Sequence, residues 1–274
     1  MDYFGVYHQD YVQRNGSVCD APCVSKGRMM LCAYGSVTEG GLIGMLAGRL
    51  RNRRALAAEL DCPPDTEAAR LLLRAYRRWG ADYPGHIEGP AATCVMDAQG
   101  DAMVLSRDRM GEQPVFYTRA GARMAFSDHP DTLLKNACAE PVMDADGMRE
   151  LFGLGPARTP GRTYFRDIAM LEPGCALAMA GEDMRVHRYY SIEARQHEDD
   201  EVQTISRVRA LLEQAVDDVM PLNPVAMLSG GLDSTALTAL MARRREGLMT
   251  FSVDYQDNDR DFRANAFRPE RDAP

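Results

Sequence analysis

Apolar residues recur along the chain in two patterns, which are short runs between turn residues and longer stretches with three-and-four spacing. Four short runs lie between Ala91 and Asp128 and predict four antiparallel strands joined by tight connections. The Ala-, Leu- and Arg-rich stretch Asn52 to Leu60 favours a helix. A second amphipathic helix is expected up to Trp79, with Asp65 as a possible cap and Gly80 as its end. Helices flanking an antiparallel sheet indicate an α+β arrangement of layers.

The pattern changes in the second half of the chain. A hairpin is expected with its turn near Gly181, followed by the polar linker HEDDE. The stretch from Val202 to Val219 places apolar residues on one stripe and predicts a long amphipathic helix. After Pro221 and Pro224 the sequence predicts a strand, a loop, a helix and a second strand. That order is one βαβ unit, the beginning of a parallel sheet.

Composition and charge narrow the classes of function. The chain has 274 residues and a net charge of −8, which argues against general nucleic-acid binding. No stretch approaches the roughly 18 apolar residues of a membrane span, and the start lacks the order of a signal peptide, so we expect a cytoplasmic protein without membrane association. The run Arg243-Arg244-Arg245 is interpreted as a solvated helix end.

Seven cysteines, an odd number, favour reduced thiols over a disulfide framework. Cys19 and Cys23 have a spacing that suits two metal ligands, but the neighbourhood offers no convincing partner, and we interpret the cysteines as buried or incidental. Arg107 and Asp108, which precede a tight turn, are expected to fix the fold rather than to form a charged site.

The segment Leu228 to Thr235, LSGGLDST, carries the most specific chemistry. Glycines after an apolar strand let backbone amides approach phosphate oxygens, and the following helix adds the positive end of its dipole. Asp233 beside phosphates implies a bridging Mg²⁺. The segment is not a Walker A loop, because no lysine follows the second glycine. The alternative is an ordinary strand-to-helix turn in which Asp233 caps the helix.

SGGLDST followed by TFSVDY resembles the PP-loop of N-type ATP pyrophosphatases, most closely the synthetase domain of glutamine-hydrolysing asparagine synthetases. GRLRNRRAL, SRDRMGEQPVFY and FSD resemble, in the same order, the class II glutamine amidotransferase domain of that family. The resemblance covers nearly the whole chain. It implies an Ntn-type αββα sandwich over residues 1–195 and the start of an α/β parallel-sheet PP-loop domain over residues 200–274.

The resemblance also implies cofactors and roles. In the family, ATP with Mg²⁺ adenylates the side-chain carboxylate of aspartate, and ammonia released from glutamine displaces AMP. Asp233 would hold Mg²⁺, and the backbone of Val253 would contact adenine. The residues that would bind ATP and its pyrophosphate are Ser229, Gly230, Gly231, Ser234, Thr235 and Val253.

The chain departs from the family at the glutaminase site. Met1 or Asp2 stands where the family has its nucleophilic cysteine, and neither can replace a thiolate. Ala47-Gly48 replaces the Asn-Gly that contacts glutamine. Asp65 and Arg28, with Gly48, match the remaining glutamine-binding positions, Arg28 only loosely. We therefore expect no catalytic residue for glutamine hydrolysis and no glutaminase activity.

A second departure is length, since the family's synthetase domain continues well beyond the point where this sequence stops. We expect an incomplete synthetase domain, weak ATP binding and an inactive chain when it is alone. Loss of the cysteine also fits β-lactam synthetases and lasso-peptide cyclases, which close an amide with an amine of the substrate. A third hypothesis is a non-catalytic remnant or dimerisation module. The expected partners are ATP and aspartate or a related carboxylate, with a homodimer possible.

Overall fold

A computed structural model describes residues 3–7, 21–121, 123–136, 138–155, 157–253 and residue 263. The chain divides into two compact units, Met1–Glu193 (unit 1) and Ala194–Pro274 (unit 2). Within the described residues, none of the helices has both the length and the apolar content that crossing a bilayer requires.

Unit 1 contains strands and helices in a mixed order. Its first strands are β1 (Tyr3–Tyr7), β2 (Cys23–Lys26), β3 (Met29–Ala33), β4 (Val37–Glu39) and β5 (Leu42–Gly48). Helices α1 (Arg53–Glu59) and α2 (Ala68–Trp79) and a 3-10 helix (Gly80–His86) follow. The remaining elements are β6 (Ala91–Asp97), β7 (Ala102–Ser106), β8 (Phe116–Ala120), β9 (Arg123–Ser127), α3 (Pro130–Lys135), α4 (Ala145–Leu154), β10 (Ala169–Met170), β11 (Cys175–Ala180) and β12 (Asp183–Arg188).

These strands form two six-stranded sheets. Sheet A has the order β10-β8-β9-β1-β3-β2, and sheet B has the order β12-β11-β7-β6-β5-β4. All pairings within both sheets are antiparallel. β1, at the start of the chain, lies inside sheet A between β9 and β3.

Three apolar clusters show how the layers pack. Between the sheets, Leu31 and Phe126 of sheet A share a cluster with Ile43 and Leu105 of sheet B. The other face of sheet B packs against α1 and α2 in a second cluster. The other face of sheet A packs against α3, whose Leu133 is fully buried, in a third. Helix, sheet, sheet and helix therefore stack as an αββα sandwich, and the predicted fold class of this region is confirmed.

The four strands expected between residues 91 and 128 are all present, but they do not form one meander. β6 and β7 pair with each other in sheet B, whereas β8 and β9 pair with each other in sheet A. The turn between β7 and β8 therefore carries the chain from one sheet to the other. Both sheets are covered on both faces, so all four strands are rich in buried apolar residues, and this pattern does not reveal which sheet a strand joins.

Helix α2 begins later than the sequence suggested. Its N-cap position is Glu67, without a capping hydrogen bond from the side chain, so the prediction that Asp65 caps this helix is wrong. Asp65 lies in the preceding turn, where its backbone carbonyl accepts a 2.5 Å hydrogen bond from Arg53. The predicted end is confirmed, because Gly80 follows the last turn with a φ of 57° that favours glycine.

The expectation of reduced thiols is wrong for two cysteines. Cys23 and Cys32 lie directly opposite each other on β2 and β3 and form a disulfide. Cys62, Cys94, Cys138 and Cys175 are not part of a disulfide. Cys19, the other half of the metal pair considered from the sequence, lies outside the described residues.

Unit 2 consists of α5 (Glu201–Val219), a 3-10 turn (Met220–Leu222), β13 (Ala226–Met227), α6 (Leu232–Ala242) and β14 (Thr250–Phe251). β13 and β14 pair in parallel, which confirms the predicted βαβ unit. α5 begins with a capping box, in which the Asp200 carboxylate and the Gln203 side chain each accept a backbone N–H of the other residue. Arg244 is not simply a solvated helix end, since its guanidinium pairs with Asp217 of α5.

Candidate functional site

The glycine-rich segment of unit 2 connects the end of β13 to the first turn of α6. The amide of Leu228 donates a 2.8 Å hydrogen bond to the carbonyl of Phe251, which joins this segment to the end of β14. The carboxyl ends of both strands therefore lie at one edge of the small sheet. In open α/β sheets, ligands bind in the crevice outside this edge.

Two hydroxyl groups face each other across the segment. Ser229 Oγ lies 3.0 Å from Ser234 Oγ, and the backbone amide of Ser229 donates to Ser234 Oγ at 3.3 Å. Ser234 Oγ also donates to the carbonyl of Gly231 at 3.2 Å. Ser229 is exposed and Ser234 is half-buried, so both hydroxyls can exchange these internal bonds for an anion at the helix N-terminus.

The two glycines of the segment have different conformations. Gly230 has a φ of 83°, which a residue with a Cβ adopts only at a cost. Gly231 has a φ of −72° and is the N-cap of α6, without a capping side-chain hydrogen bond. A Cβ at Gly231 would lie 3.5 Å from Ser229 Oγ, an ordinary contact. Gly230 is therefore required by the turn, whereas Gly231 leaves the first amides of the helix open to a ligand.

Asp233 and Thr235 lie in the first turn of α6 and are exposed. A carboxylate beside a phosphate site fits Mg²⁺, which proteins commonly hold with one or two carboxylates while phosphate and water oxygens complete its shell. Within the described part of the chain, no group of three or more His, Cys, Asp or Glu residues forms a metal site. Asp233 is the carboxylate of this turn that would hold a metal arriving with a nucleotide.

β14 continues into two residues beside this segment. Val253, the predicted adenine contact, is 71% exposed. Ser252 was missed by the sequence reasoning. Its Oγ donates a 2.6 Å hydrogen bond to the carbonyl of Leu228 and so ties the end of β14 to the start of the glycine-rich segment. Its position as a hydroxyl residue directly after the second strand of the βαβ unit is the sequence feature that could have indicated this contact.

In unit 1, Gly48 ends β5 and pairs with Ala91 of β6. Its φ is 112°, and a Cβ there would lie 2.1 Å from the carbonyl oxygen of Pro90. Backbone strain and this close approach explain the glycine without any ligand. The neighbouring Ala47 offers no polar group at the position where the related family has asparagine.

The other predicted glutamine-site residues lie on separate elements. Arg28 is exposed in the turn between β2 and β3, at the outer edge of sheet A. Asp65 is exposed before α2, which packs against sheet B. Met1 and Asp2, where the nucleophile is expected in the family, lie outside the described residues.

Arg107 and Asp108 fix the fold of unit 1, as predicted. The buried Arg107 guanidinium donates to the carbonyls of Gln113, Leu171 and Gly111 at 2.9, 2.8 and 2.6 Å. The Asp108 carboxylate accepts the backbone amides of residues 110, 112 and 113 at 3.2, 3.0 and 2.8 Å. Burial lowers the pKa of Arg107, and the adjacent Asp108 carboxylate opposes that effect. The pair closes the turn that leads from sheet B to sheet A.

Comparisons with known proteins agree with the division into two units. A glutamine amidotransferase domain family matches residues 45–190, and an asparagine synthase family matches residues 207–268. The chain is 36% identical to asparagine synthetase [glutamine-hydrolyzing] 3 of Bacillus subtilis over 283 aligned positions, covering 99% of this chain and 45% of that protein. It is 27% identical to carboxyethyl-arginine beta-lactam-synthase of Streptomyces clavuligerus, covering 83% of this chain and 42% of that protein.

The chain thus spans less than half the length of these curated relatives. Among solved structures, glutamine phosphoribosylpyrophosphate amidotransferase from B. subtilis aligns with a TM-score of 0.43 at 15% identity, covering 97% of this chain and 63% of that one. A score at this level does not establish a shared fold by itself. The αββα arrangement follows from the strand order and core clusters of the chain itself.

Proposed function

Because the chain belongs to the glutamine amidotransferase domain family and continues into the start of an asparagine synthase domain, we propose that it takes part in ATP-dependent amide formation. Unit 2 binds the pyrophosphate part of Mg-ATP, and the acceptor is the side-chain carboxylate of aspartate or of a related molecule. Unit 1 keeps the amidotransferase fold without the glutaminase reaction. The protein acts in the cytoplasm on small molecules, and a homodimer is its proposed assembly.

The observation that carries this proposal is the pair of hydroxyls at the N-terminus of α6. Ser229 Oγ and Ser234 Oγ lie 3.0 Å apart, next to the uncapped helix start at Gly231. Hydroxyls, open amides and the positive end of the helix dipole together stabilise a phosphate anion. Gly230 gives the loop its turn, and Thr235 adds a hydroxyl one position further along the helix.

Two more residues complete the proposed site. Asp233 would hold Mg²⁺ against the pyrophosphate, where the metal neutralises the charge that develops on the leaving group. Val253 would contact adenine through its backbone. Bound ATP would supply its adenylyl group to a carboxylate oxygen with release of pyrophosphate, so that AMP, rather than the poor leaving group hydroxide, departs when nitrogen attacks the acyl carbon. The residues of this chain bind and orient the phosphates and hold the metal.

Unit 1 supports the proposal that glutamine is not the nitrogen source. Residues 1–7, which include the whole of β1, contain no cysteine. Ala47 lacks the amide that would stabilise an oxyanion, and Gly48 is explained by its backbone contact with Pro90. Asp65, Gly48 and Arg28 remain as proposed remnants of a glutamine site. Nitrogen would then come from free ammonia or from an amine.

A second candidate function follows from the similarity to the Streptomyces clavuligerus synthase. In this alternative, the attacking amine belongs to the substrate itself, and the product is an internal amide. A β-lactam synthetase and a peptide cyclase of the lasso type both fit this chemistry. Mass spectrometry of the product distinguishes the candidates, because ring closure removes water from one molecule, whereas ammonia-dependent synthesis adds nitrogen to the carboxylate.

Mg-ATP binding is tested by saturation-transfer NMR, which detects weak ligands. We expect saturation of the adenine protons, with an affinity weaker than the micromolar range, and a clear loss of signal in Asp233→Asn and in Ser229→Ala with Ser234→Ala. Thr204→Ala, a change on α5, is the control and should keep the wild-type signal. No signal in the wild type, or a signal unchanged in both site variants, would contradict the proposed site.

Glutaminase activity is tested by measuring ammonia release from glutamine. We expect no release above the blank, because no thiol stands at the start of β1. Ammonia release that increases in proportion to the amount of protein would contradict the assignment of unit 1. The result does not depend on nucleotide binding by unit 2, so the two parts of the proposal can fail separately.

A further inference from the structure

The disulfide between Cys23 and Cys32 joins two residues that are directly paired across β2 and β3. Among the cysteines that the structure describes, four others form no disulfide. A single bond between neighbouring strands does not connect distant parts of the fold. Its effect is therefore confined to the hairpin formed by these two strands.

The two sulfur-bearing residues have very different surroundings. Cys32 is fully buried and packs in the cluster on the outer face of sheet A. Cys23 is exposed. A thiolate in solution can therefore reach the bond from the Cys23 side, while Cys32 is shielded by the protein.

β2 has fewer contacts to hold it in sheet A than the inner strands, which have a neighbouring strand on each side. Among the strands that the structure describes, it lies at one edge of sheet A, where β3 is its single partner. Its four residues alternate between exposed and half-buried, and the half-buried Val24 packs against the core between the sheets. Backbone pairing with β3, the packing of Val24 and the disulfide hold β2 in place. Edge strands with little burial open at low free-energy cost.

The four cysteines without a disulfide provide a contrast. Cys94, Cys138 and Cys175 are buried, and burial raises the pKa of each thiol, in the case of Cys138 to about 12. A raised thiol pKa and burial both suppress reaction with oxidants and disulfides. Cys62 is half-buried and lies in the loop after α1. The Cys23–Cys32 pair is thus the accessible redox couple among the described cysteines.

We propose that the Cys23–Cys32 disulfide is a reversible redox switch that fixes or releases the β2–β3 hairpin in response to low-molecular-weight thiols. A thiolate attacks Cys23 Sγ, forms a mixed disulfide with it and displaces Cys32 as a thiolate, which takes up a proton. A second thiolate attacks the sulfur of the small thiol in the mixed disulfide and releases Cys23, which also takes up a proton. The protein pair gains two electrons and two protons, and two small thiols become one small disulfide.

This inference does not rest on the proposed function, because it concerns the edge of sheet A. The hairpin turn carries Arg28, so its release would alter the outer edge of unit 1. The expected structural change is local: β2 and its turn loosen, while the pairing of β1 with β9 and the whole of sheet B stay as they are.

The test uses the whole chain, equilibrated in buffers with different ratios of reduced to oxidised glutathione and then alkylated and mapped by mass spectrometry. We expect Cys23 and Cys32 to be linked in oxidising buffer and to become alkylated together as the ratio rises, with reoxidation on return. Hydrogen exchange should quicken on the order of tenfold over residues 23–28 on reduction, with little change in β6 and β7.

Two variants provide controls. Cys23→Ser, a change at an exposed position, should show the fast exchange of the reduced protein in either buffer. Cys62→Ser, which removes a free thiol, should respond like the wild type. Free Cys23 and Cys32 in oxidising buffer would overturn the proposal. So would a linked pair whose reduction leaves exchange over residues 23–28 unchanged, or raises it equally in β6 and β7.

Discussion

Unit 1 and unit 2 keep their elements in place by different means. In unit 1, helices α1 and α2 cover one sheet and α3 covers the other, and most large apolar side chains of the sheets are fully buried. In unit 2, the buried apolar cluster consists of Val216, Ala226 and Met241. The apolar stripe of α5 is largely exposed, as Ile205 (57%) and Leu211 (58%) show.

The difference shows that a predicted amphipathic helix need not bury its apolar face within its own unit. Full burial of a large apolar side chain contributes about 1.5–3 kcal/mol to the free energy of unfolding. Many side chains of unit 1 make this contribution, whereas few of unit 2 do. Helix α5 of unit 2 is supported by the capping box at Asp200, which contributes about 1 kcal/mol, and by the solvent-screened ion pair of Asp217 with Arg244.

The largest expected effect is in the core of unit 1. Leu72 on α2 is fully buried against sheet B. Leu72→Ala should destabilise unit 1 by about 2–5 kcal/mol, since it removes apolar contacts and leaves a cavity. Denaturation followed by the fluorescence of Trp79, the single tryptophan of the chain, measures unit 1 directly. A loss below about 1 kcal/mol would mean that this helix packs less tightly than described.

The second effect concerns the buried polar turn of unit 1. Asp108→Asn should destabilise unit 1 by about 2 kcal/mol, because the carboxylate accepts three backbone amides and neighbours the buried Arg107. The same fluorescence experiment measures it. Asp82→Asn, an exposed change in the same unit, is the control and should have almost no effect. Equal stabilities for the two variants would show that the Asp108 carboxylate does not support the turn.

A leucine-to-alanine substitution on α5 tests whether an apolar side chain of unit 2 contributes as much to stability as one of unit 1. Leu211→Ala should cost no more than about 0.5 kcal/mol, because this side chain is already mostly in water. Val216→Ala on the same helix should cost more, since Val216 is buried. Hydrogen exchange of the amides of α5 measures both. A cost for Leu211→Ala as large as that for Leu72→Ala would show that the exposed stripe is covered in solution.

The smallest effect is a pH dependence in unit 2. The hydrogen bond from Arg244 lowers the pKa of Asp217 below its ordinary value of 3.8. The unfolded chain therefore takes up this proton first as the pH falls, so the stabilisation is complete above that value and is lost as the pH falls through the lower, folded-state pKa. Thermal melts should show Asp217→Asn less stable than wild type near neutral pH, with the difference narrowing below about pH 4. A constant difference would argue against the ion pair.

Local signals predicted much of this molecule. The end of α2 follows from Gly80 and most of α5 from the apolar stripe of residues 202–219, because helix periodicity and caps depend on neighbours a few positions apart. α5 begins earlier than predicted, because Asp200 in the HEDDE segment is its N-cap. The glycine-rich segment at Ser229 was assigned to a strand-to-helix turn, and the βαβ unit is confirmed. Ser252 was not recognised, since its bond to Leu228 joins residues 24 positions apart.

The sequence by itself determined helices α1, α2, α5 and α6, the four strands between residues 91 and 128 and the strand-to-helix turn at LSGGLDST, all of which depend on short-range spacing. The tertiary structure decided that β8 and β9 leave the sheet of β6 and β7, that Cys23 lies opposite Cys32, and that Arg244 reaches Asp217. These pairings join residues that are separated in the sequence, and the local sequence pattern does not distinguish the true partner from other residues of the same type. Packing of the complete chain selects among them, because only one set of partners buries both sheets against each other and against their helices.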